Sequence, residues 1–297
     1  MIFSTRAYAP LAAEVARQAR APLGETDTRL FADGERYLRL RTDPAGRDVV
    51  ILGGTISDFD ALELYDLASG AVEGGAHSLT LAVPYFGYGT MERAVRPREV
   101  VTAKTRARLL SSIPAAGSGS RVLLLDLHSE GIPYYFEGAL RPVQLSARPV
   151  LLEAIRGLGA EVVACTDAGR AKWVERFAND LGVPPAFVFK RRRGEATEVT
   201  AVSAQVAGKR VVVYDDLIRS GGSLINAARA YRDAGAASLA AVATHAVLPG
   251  DALDRIRGSG LFDALVVTDS HPRAAALKSE FMQVISIAPV FAQAIAG

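Results

Sequence analysis

Short apolar runs recur along the whole chain, each followed by a stretch long enough to cross a sheet and return. They are VVILGG (49–54), SLTLAVPYF (78–86), RVLLLDLH (121–128), EVVACTD (161–167), PAFVFK (185–190), RVVVYDD (210–216), SLAAVATH (238–245), DALVVTDS (263–270) and QVISIAP (283–289). Amphipathic stretches such as DALELYDLASGAV and LINAARAYRDAG lie between several of them, and glycine often follows, as a helix C-cap requires. Buried strands alternating with helices at this spacing predict βαβ units around largely parallel sheets, so the expected fold class is α/β.

The chain has 297 residues, enough for one large domain or two of ordinary size. A weak internal repeat favours two. RDVVILGG leads through a helix to EGGAHSLTLAVP, and KRVVVYDD leads through a helix to DAGAASLAAVATH. The stretches from Gly75 and from Gly235 both read G-A-x-S-L. The expected division is 1–145 and 146–297. The two copies differ at the strand end, where Gly53 and Gly54 stand in place of Asp215 and Asp216.

Composition narrows the class of protein. Hydrophobic residues make up 49% and charged residues 22%, which supplies a packed core and argues against wholesale disorder. A net charge of +2 is not that of a nucleic-acid binder. The single cysteine, Cys165, cannot form an internal disulfide, and no Cys/His metal cluster is visible. The opening segment carries Glu14 and three arginines within its apolar region, unlike a signal peptide. The longest stretch without Asp, Glu, Lys or Arg, Gly74 to Met91, is too polar and broken to span a bilayer. The expectation is a cytoplasmic protein with neither nucleic acid nor membrane as partner.

The most informative string is VVVYDDLIRSGGSL (211–224). A buried strand is expected over Val211–Tyr214, ending on Asp215 and Asp216. In open α/β sheets, ligands bind at the carboxyl ends of strands. Two adjacent carboxylates can accept hydrogen bonds from a vicinal diol such as that of a ribose. The small residues that follow, in Arg219-Ser220-Gly221-Gly222-Ser223, can wrap backbone N–H groups and hydroxyls around a phosphate at a helix N-terminus. For the acid pair alone, a turn with two solvated acids is the better reading. The full string reads as a sugar-phosphate cradle, with acids for the diol and a loop for the phosphate.

Other segments carry weaker signals. Phe31-Ala32-Asp33-Gly34-Glu35 offers an aromatic and two acids around a flexible glycine, but alone reads as a plain turn. Pro84–Gly89 (PYFGYG) follows a strand and precedes Glu92 and Arg93; an aromatic cluster there is more often core than site. RVLLLDLH ends a buried strand on Asp126 and His128, and a histidine at a strand's carboxyl end beside an acid is a candidate for metal or phosphate contact. Phe187–Lys190 reads as a strand tip opening onto Arg191-Arg192-Arg193-Gly194-Glu195. That run is either a solvated turn, a polyanion patch or a source of cations for phosphoryl chemistry.

Taken in order, FADGE, PYFGYG, DLH, TDAG, FKRR, DDLIRSGG and VTDSHP resemble the ribose-phosphate pyrophosphokinase family over nearly the whole chain. The string around Asp215 is also shared with the phosphoribosyltransferases of type I fold. The resemblance implies two domains of that fold, the first on the ATP side and the second binding ribose 5-phosphate. It implies transfer of the β,γ-diphosphoryl group of ATP to the 1-hydroxyl of ribose 5-phosphate, with Mg²⁺. It places Phe31, Asp33 and Glu35 at the ATP base, across a contact between subunits of a homo-oligomer, and Glu92 and Arg93 on the ATP side. His128 and Asp167 fall near the metal and diphosphate. Asp215 and Asp216 take the ribose hydroxyls, and Arg219 to Ser223 the 5-phosphate. Lys190 and Arg192 match the catalytic cations.

The chain also departs from the widespread class of the family. Thr90, Met91 and Glu92 stand where that class has Arg-Gln-Asp, Arg219 replaces the usual loop acid, and SEGIPYYF follows the histidine. These features resemble the plant-type class II enzymes, as does the T-H-x-x-x-P segment Thr244–Pro249. Two rivals stay open: a phosphoribosyltransferase, which chain length and the FADGE and FKRR motifs oppose, and a non-catalytic regulatory paralogue, which Lys190, Arg192, His128 and Asp167 oppose.

Overall fold

The structure, a computed structural model of the chain, describes the backbone of residues 1–193, 196–202 and 205–297, and their side chains apart from those of 168 and 189–202. The chain divides into two compact units. One comprises Met1–Ser146 with Ala288–Gly297, and the other Ala147–Ile287.

In chain order the first unit holds β1 (Ile2–Ser4), α1 (Ala9–Ala19), β2 (Thr26–Leu30), β3 (Arg36–Leu40), β4 (Asp48–Leu52), α2 (Asp58–Glu73), β5 (Ser78–Val83), α3 (Thr102–Ser111), β6 (Ser120–Leu125) and β7 (Leu140–Leu145). Its sheet runs β1-β4-β5-β6-β7, parallel throughout, while β2 and β3 pair as a separate antiparallel ribbon. Strands β4, β5 and β6 are buried along nearly their full length, so they read as unbroken apolar runs rather than alternating ones. Leu64, Leu67, Ala68 and Ala71 of α2 join the core with Val49, Ile51, Leu79 and Leu81. Strand β7 lacked such a run because it is an edge strand with Arg141, Val143 and Gln144 exposed; its Pro142 is tolerated there for the same reason.

The second unit holds α4 (Arg148–Gly157), β8 (Val162–Cys165), α5 (Ala171–Leu181), β9 (Pro185–Ala186), β10 (Val188–Arg193), β11 (Ala196–Val202), β12 (Arg210–Ile218), α6 (Gly222–Asp233), β13 (Ser238–Ala246), α7 (Ala252–Gly258), β14 (Ala264–Thr268), α8 (Pro272–Ala276) and β15 (Met282–Ile285). Its parallel sheet runs β15-β14-β13-β12-β8-β9, and β10 pairs with β11 as an antiparallel ribbon. From β8 the chain steps to β9 on one side. It later returns with β12 on the other side and winds onward through β13, β14 and β15. The strand order therefore reverses between β8 and β12, which makes their carboxyl ends the switch point where open sheets form ligand crevices. The last helix, α9 (Ala288–Ala296), packs in the first unit, whereas the sequence reading places it in the second half.

The two G-A-x-S-L stretches have the same local structure, bond for bond. Ala76 N donates to Ala71 O and Gly75 N to Val72 O; Ala236 N donates to Tyr231 O and Gly235 N to Arg232 O. Each is a Schellman-type helix end whose glycine has positive φ, +85° at Gly75 and +90° at Gly235. The strand ends differ for a steric reason. A Cβ at Gly53 would lie 2.6 Å from Thr5 Cγ2, and one at Gly54 would lie 2.4 Å from the Tyr8 hydroxyl. The segment after β1 fills the space that the acid pair occupies in the other unit.

Two strand boundaries differ from expectation. Strand β12 continues past Asp215 and Asp216 to Ile218, because β13 offers register partners that far, with Leu217 opposite His245. Strand β10 runs through Arg193, paired along β11, where the sequence suggested a strand tip and a turn.

Candidate functional site

In the second unit, Asp215 and Asp216 lie near the carboxyl end of β12 and are 8% and 3% exposed, so they are buried rather than solvated acids. Thr166, just past the end of β8, donates its hydroxyl to Asp215 Oδ2 at 2.9 Å, across the switch point. The Asp216 amide donates to Asp215 Oδ1 at 3.0 Å. Burial, with Asp216 beside it, pushes the Asp215 carboxyl well above the usual range, and the Thr166 hydroxyl opposes the shift. Arg170 lies with its Nε 3.0 Å from Asp216 Oδ1. Sequence reasoning missed both Thr166 and Arg170. They flank Asp167 in TDAGR, and only the pairing of β8 with β12 makes them neighbours of the acids.

Asp167 itself caps its own turn, its Oδ1 accepting from Gly169 N at 2.9 Å, and Arg170 N donates to the Asp167 carbonyl. After β12 the chain turns through exposed Arg219 and Ser220 to Gly221, whose φ is +78°. A Cβ at Gly221 would meet Ile256 Cγ1 at 2.6 Å, so both the conformation and the packing of α7 require glycine there. Helix α6 begins at Gly222 with no side-chain cap, so its first N–H groups are the kind a phosphate can take, and Gly222 and Ser223 are exposed there. The acid pair, Thr166, Asp167 and the Arg219–Ser223 turn therefore gather at one end of this sheet.

Thr244 and His245, at the end of β13, meet the VTDSHP segment, which begins in the last two residues of β14. Ser270 donates its hydroxyl to the Thr244 carbonyl and lies 2.8 Å from His245 Nδ1. His271 caps α8, its Nδ1 accepting from Arg273 N at 3.2 Å. Burial, with the charges of His245 and Arg273, pulls the His271 imidazole down to about 4. The sign follows from linkage: an unfolded chain protonates this histidine near pH 6.5 and the folded one only near 4, so stability present above 6.5 is lost as pH falls between the two. Urea unfolding at pH 7 and 4.5 should show the wild type losing about 2–3 kcal/mol more than His271→Asn, which keeps a capping acceptor without titrating. Equal losses in the two proteins would refute this.

In the first unit, the PYFGYG turn and the DLH segment emerge side by side because β5 and β6 are neighbours. Phe86 is core, stacked near Phe136. A Cβ at Gly89 would lie 3.6 Å from His128 Cβ, which places His128 against this turn. Tyr135 donates its hydroxyl to the Glu92 carbonyl at 2.6 Å, and Glu92 in turn pairs with exposed Arg93 at 3.6 Å. Tyr88, at φ +63°, donates to Asp58 and lies under Arg106. The FADGE segment is carried separately, as the turn between β2 and β3. There Asp33 Oδ1 accepts from Glu35 N, and Gly34 has φ +91°. Phe31 is 52% exposed and meets Tyr37 edge-on. Arg36 fastens the ribbon to α2 by pairing with Asp66 at 3.0 Å and stacking on Phe59.

Lys190 and Arg192 lie on β10, opposite Val199 and Thr197, and the register shifts between Phe189 and Lys190. Their side chains lie outside the described residues. Among the described residues no group of three or more His, Cys, Asp or Glu could hold a metal ion. A hard cation such as Mg²⁺ takes one or two carboxylates together with substrate phosphates; Asp167 offers a carboxylate, whereas His128, a nitrogen donor, suits a phosphate or a metal-bound water better. Among the described residues no helix is long and apolar enough to cross a membrane.

A buried acid pair beside a glycine turn at the switch point of a parallel sheet defines a sugar-phosphate-binding α/β enzyme class. Known proteins narrow it. Residues 1–113 match the N-terminal domain of ribose phosphate pyrophosphokinase, and residues 177–297 match the phosphoribosyl synthetase-associated domain. Ribose-phosphate pyrophosphokinase of Prochlorococcus marinus is 34% identical over 300 residues, covering 99% of this chain and 89% of that protein. The enzyme of the same name from Streptomyces coelicolor is 34% identical over 307 residues, covering 99% and 91%. The crystal structure of phosphoribosylpyrophosphate synthetase from Mycobacterium smegmatis superposes with a TM-score of 0.87 at 28% identity, covering 99% of this chain and 97% of that one. The chain belongs to the ribose-phosphate pyrophosphokinase family.

Proposed function

We propose that this protein transfers the β,γ-diphosphoryl group of ATP to the 1-hydroxyl of ribose 5-phosphate, giving phosphoribosyl pyrophosphate and AMP. The observation that carries the reading is the buried Asp215–Asp216 pair beside the Gly221 turn at the switch point, in a chain of this family. Asp215 and Asp216 accept the ribose 2- and 3-hydroxyls. The α6 N-terminus, Arg219 and Ser220 to Ser223 take the 5-phosphate. That holds the 1-hydroxyl for in-line attack on the β-phosphorus, so positioning supplies much of the rate. Lys190 and Arg192 stabilise the charge that develops on the transferring oxygens. Asp167, with His128 nearby, would hold Mg²⁺ alongside the substrate phosphates, and the cation would supply neutralisation of phosphate charge there.

On the ATP side, Phe31 stacks on the base while Asp33 and Glu35 bond its edge, supplied to a neighbouring subunit of a homo-oligomer. The half-exposed Phe31 on a ribbon fastened to α2 supports that reading. Glu92 and Arg93 flank the same nucleotide. A cytoplasmic setting suits the buried, unpaired Cys165. The test is direct: with Mg²⁺, ATP and ribose 5-phosphate the protein should release AMP, whereas ADP would mean a simple kinase.

The protein belongs with the plant-type class II enzymes. The observation that favours this is that two of its departures from the widespread class pack on each other. Ile132 and Phe136 of SEGIPYYF are buried, and Tyr135 bonds to Glu92 of the G-T-M-E-R string. Glu130 puts negative charge where a regulatory anion would sit, and Pro133 removes a backbone donor. Thr90 and Met91 offer fewer directional contacts to the donor nucleotide, which weakens discrimination between bases. Full activity is therefore expected without phosphate, with measurable use of GTP or CTP. Initial rates against phosphate at fixed Mg²⁺ and ATP check this; a strong phosphate requirement would exclude the class II assignment.

A further inference from the structure

We propose that Arg170 is a positioning residue for sugar recognition, acting through Asp216; the inference rests on the function proposed above. The two acids of the pair are held in chemically different ways. Asp215 receives a neutral hydroxyl from Thr166 at 2.9 Å. Asp216 faces a guanidinium, with Arg170 Nε 3.0 Å from its Oδ1 and the two side chains only 12% and 4% exposed. A carboxylate buried to that degree is costly without a counter-charge, and its neighbour Asp215, another acid, cannot supply one. Arg170 provides the counter-charge from across the switch point.

The placement of Arg170 is itself fixed. It ends the short turn begun at Asp167, with its amide bonded to the Asp167 carbonyl, and it stands directly before α5. Trp173 and Phe177 of α5 pack against Tyr214, the residue before the acids, with ring centroids 6.2 Å and 5.0 Å away. The segment that carries Arg170 is thus anchored to the strand that carries Asp216. A planar guanidinium held this way sets the plane of the carboxylate it faces, which an ammonium on a flexible stem does less well. An acceptor already ionised and oriented binds a hydroxyl without first having to be ordered. Arg170 therefore raises affinity for the sugar and does not touch the reacting phosphorus.

The experiment compares wild type, Arg170→Gln and Arg170→Lys in the full chain. Initial rates are measured against ribose 5-phosphate and, separately, against ATP, and ribose 5-phosphate binding is titrated by calorimetry without ATP. Arg170→Gln should raise the KM and Kd for ribose 5-phosphate about tenfold or more, with kcat and the KM for ATP nearly unchanged. Arg170→Lys should fall between the two. An unchanged or lowered KM for the sugar phosphate overturns the inference; a lowered one would make Arg170 a latch that must leave before the substrate enters. Equal loss toward both substrates also overturns it, because it marks a merely structural role. If Arg170→Gln does not fold, Arg170→Lys alone decides, by whether its KM for ribose 5-phosphate rises at constant kcat. A wild type that binds ribose 5-phosphate but releases no AMP sinks the proposed function, while the binding titration still tests Arg170.

Discussion

Lys190→Ala should lower kcat by about 10²–10⁴-fold, the scale of losing one charged group aimed at a developing oxyanion. The KM for ribose 5-phosphate should move little, because the interaction matters in the transition state and not in the ground state. When the 1-hydroxyl attacks, charge spreads over the β-phosphorus oxygens and onto the departing AMP, and a fixed cation there stabilises the transition state differentially. Lys190 follows the register shift of the β10–β11 ribbon, and such irregularities recur next to active sites. Arg192→Ala should behave alike. A single-turnover measurement separates the chemical step from product release. An unchanged kcat in Lys190→Ala would remove it from the catalytic centre.

Asp216→Ala should produce two separable losses. The first is at the sugar. Removing a charged acceptor costs about 1.5–3 kcal/mol, so the KM for ribose 5-phosphate should rise roughly tenfold to a hundredfold while ATP binding persists. The second is in stability. The pair with Arg170 is buried, with side chains 12% and 4% exposed, and deleting one partner strands the other charge. Breaking such a pair typically costs about 3–5 kcal/mol. Urea unfolding reads the second loss, and steady-state kinetics well below the unfolding transition read the first. Normal saturation by ribose 5-phosphate would refute the cradle, and unchanged stability would show that the ion pair is not structurally important. Asp216→Asn, which keeps shape but loses charge, should fall short of both losses.

Legibility in the sequence varied with the range of the interaction. Helices α2 and α6 and the buried strands of both sheets could be read directly, because amphipathic spacing and apolar runs are local signals. The β2–β3 ribbon could not: its strands are short and half-exposed, and Arg36 on Asp66 and Phe59 is what gives it a fixed place. The end of β12 was misread because charged residues usually stop a strand. Here partners on β13 and the contacts of Thr166 and Arg170 keep Asp215 and Asp216 buried within it.

The sequence by itself determined the α/β class, the paired Schellman ends at Gly75 and Gly235, the string from Asp215 to Ser223 and the ordered motifs of the family. Each is written in residues close together along the chain, where backbone preference and short-range hydrogen bonding act. Only the tertiary structure decided which strand end could be a site. At Gly53 and Gly54 the space is taken by Thr5 and Tyr8, while at Asp215 and Asp216 it is left to a hydroxyl from Thr166 and a guanidinium from Arg170. Those contacts join segments far apart in sequence: Thr5 and Tyr8 reach Gly53 and Gly54 because β1 pairs with β4, and Thr166 and Arg170 reach the acids because β8 pairs with β12 where the strand order reverses. Strand order is set by how whole helices and strands pack, a property that local residue patterns do not carry.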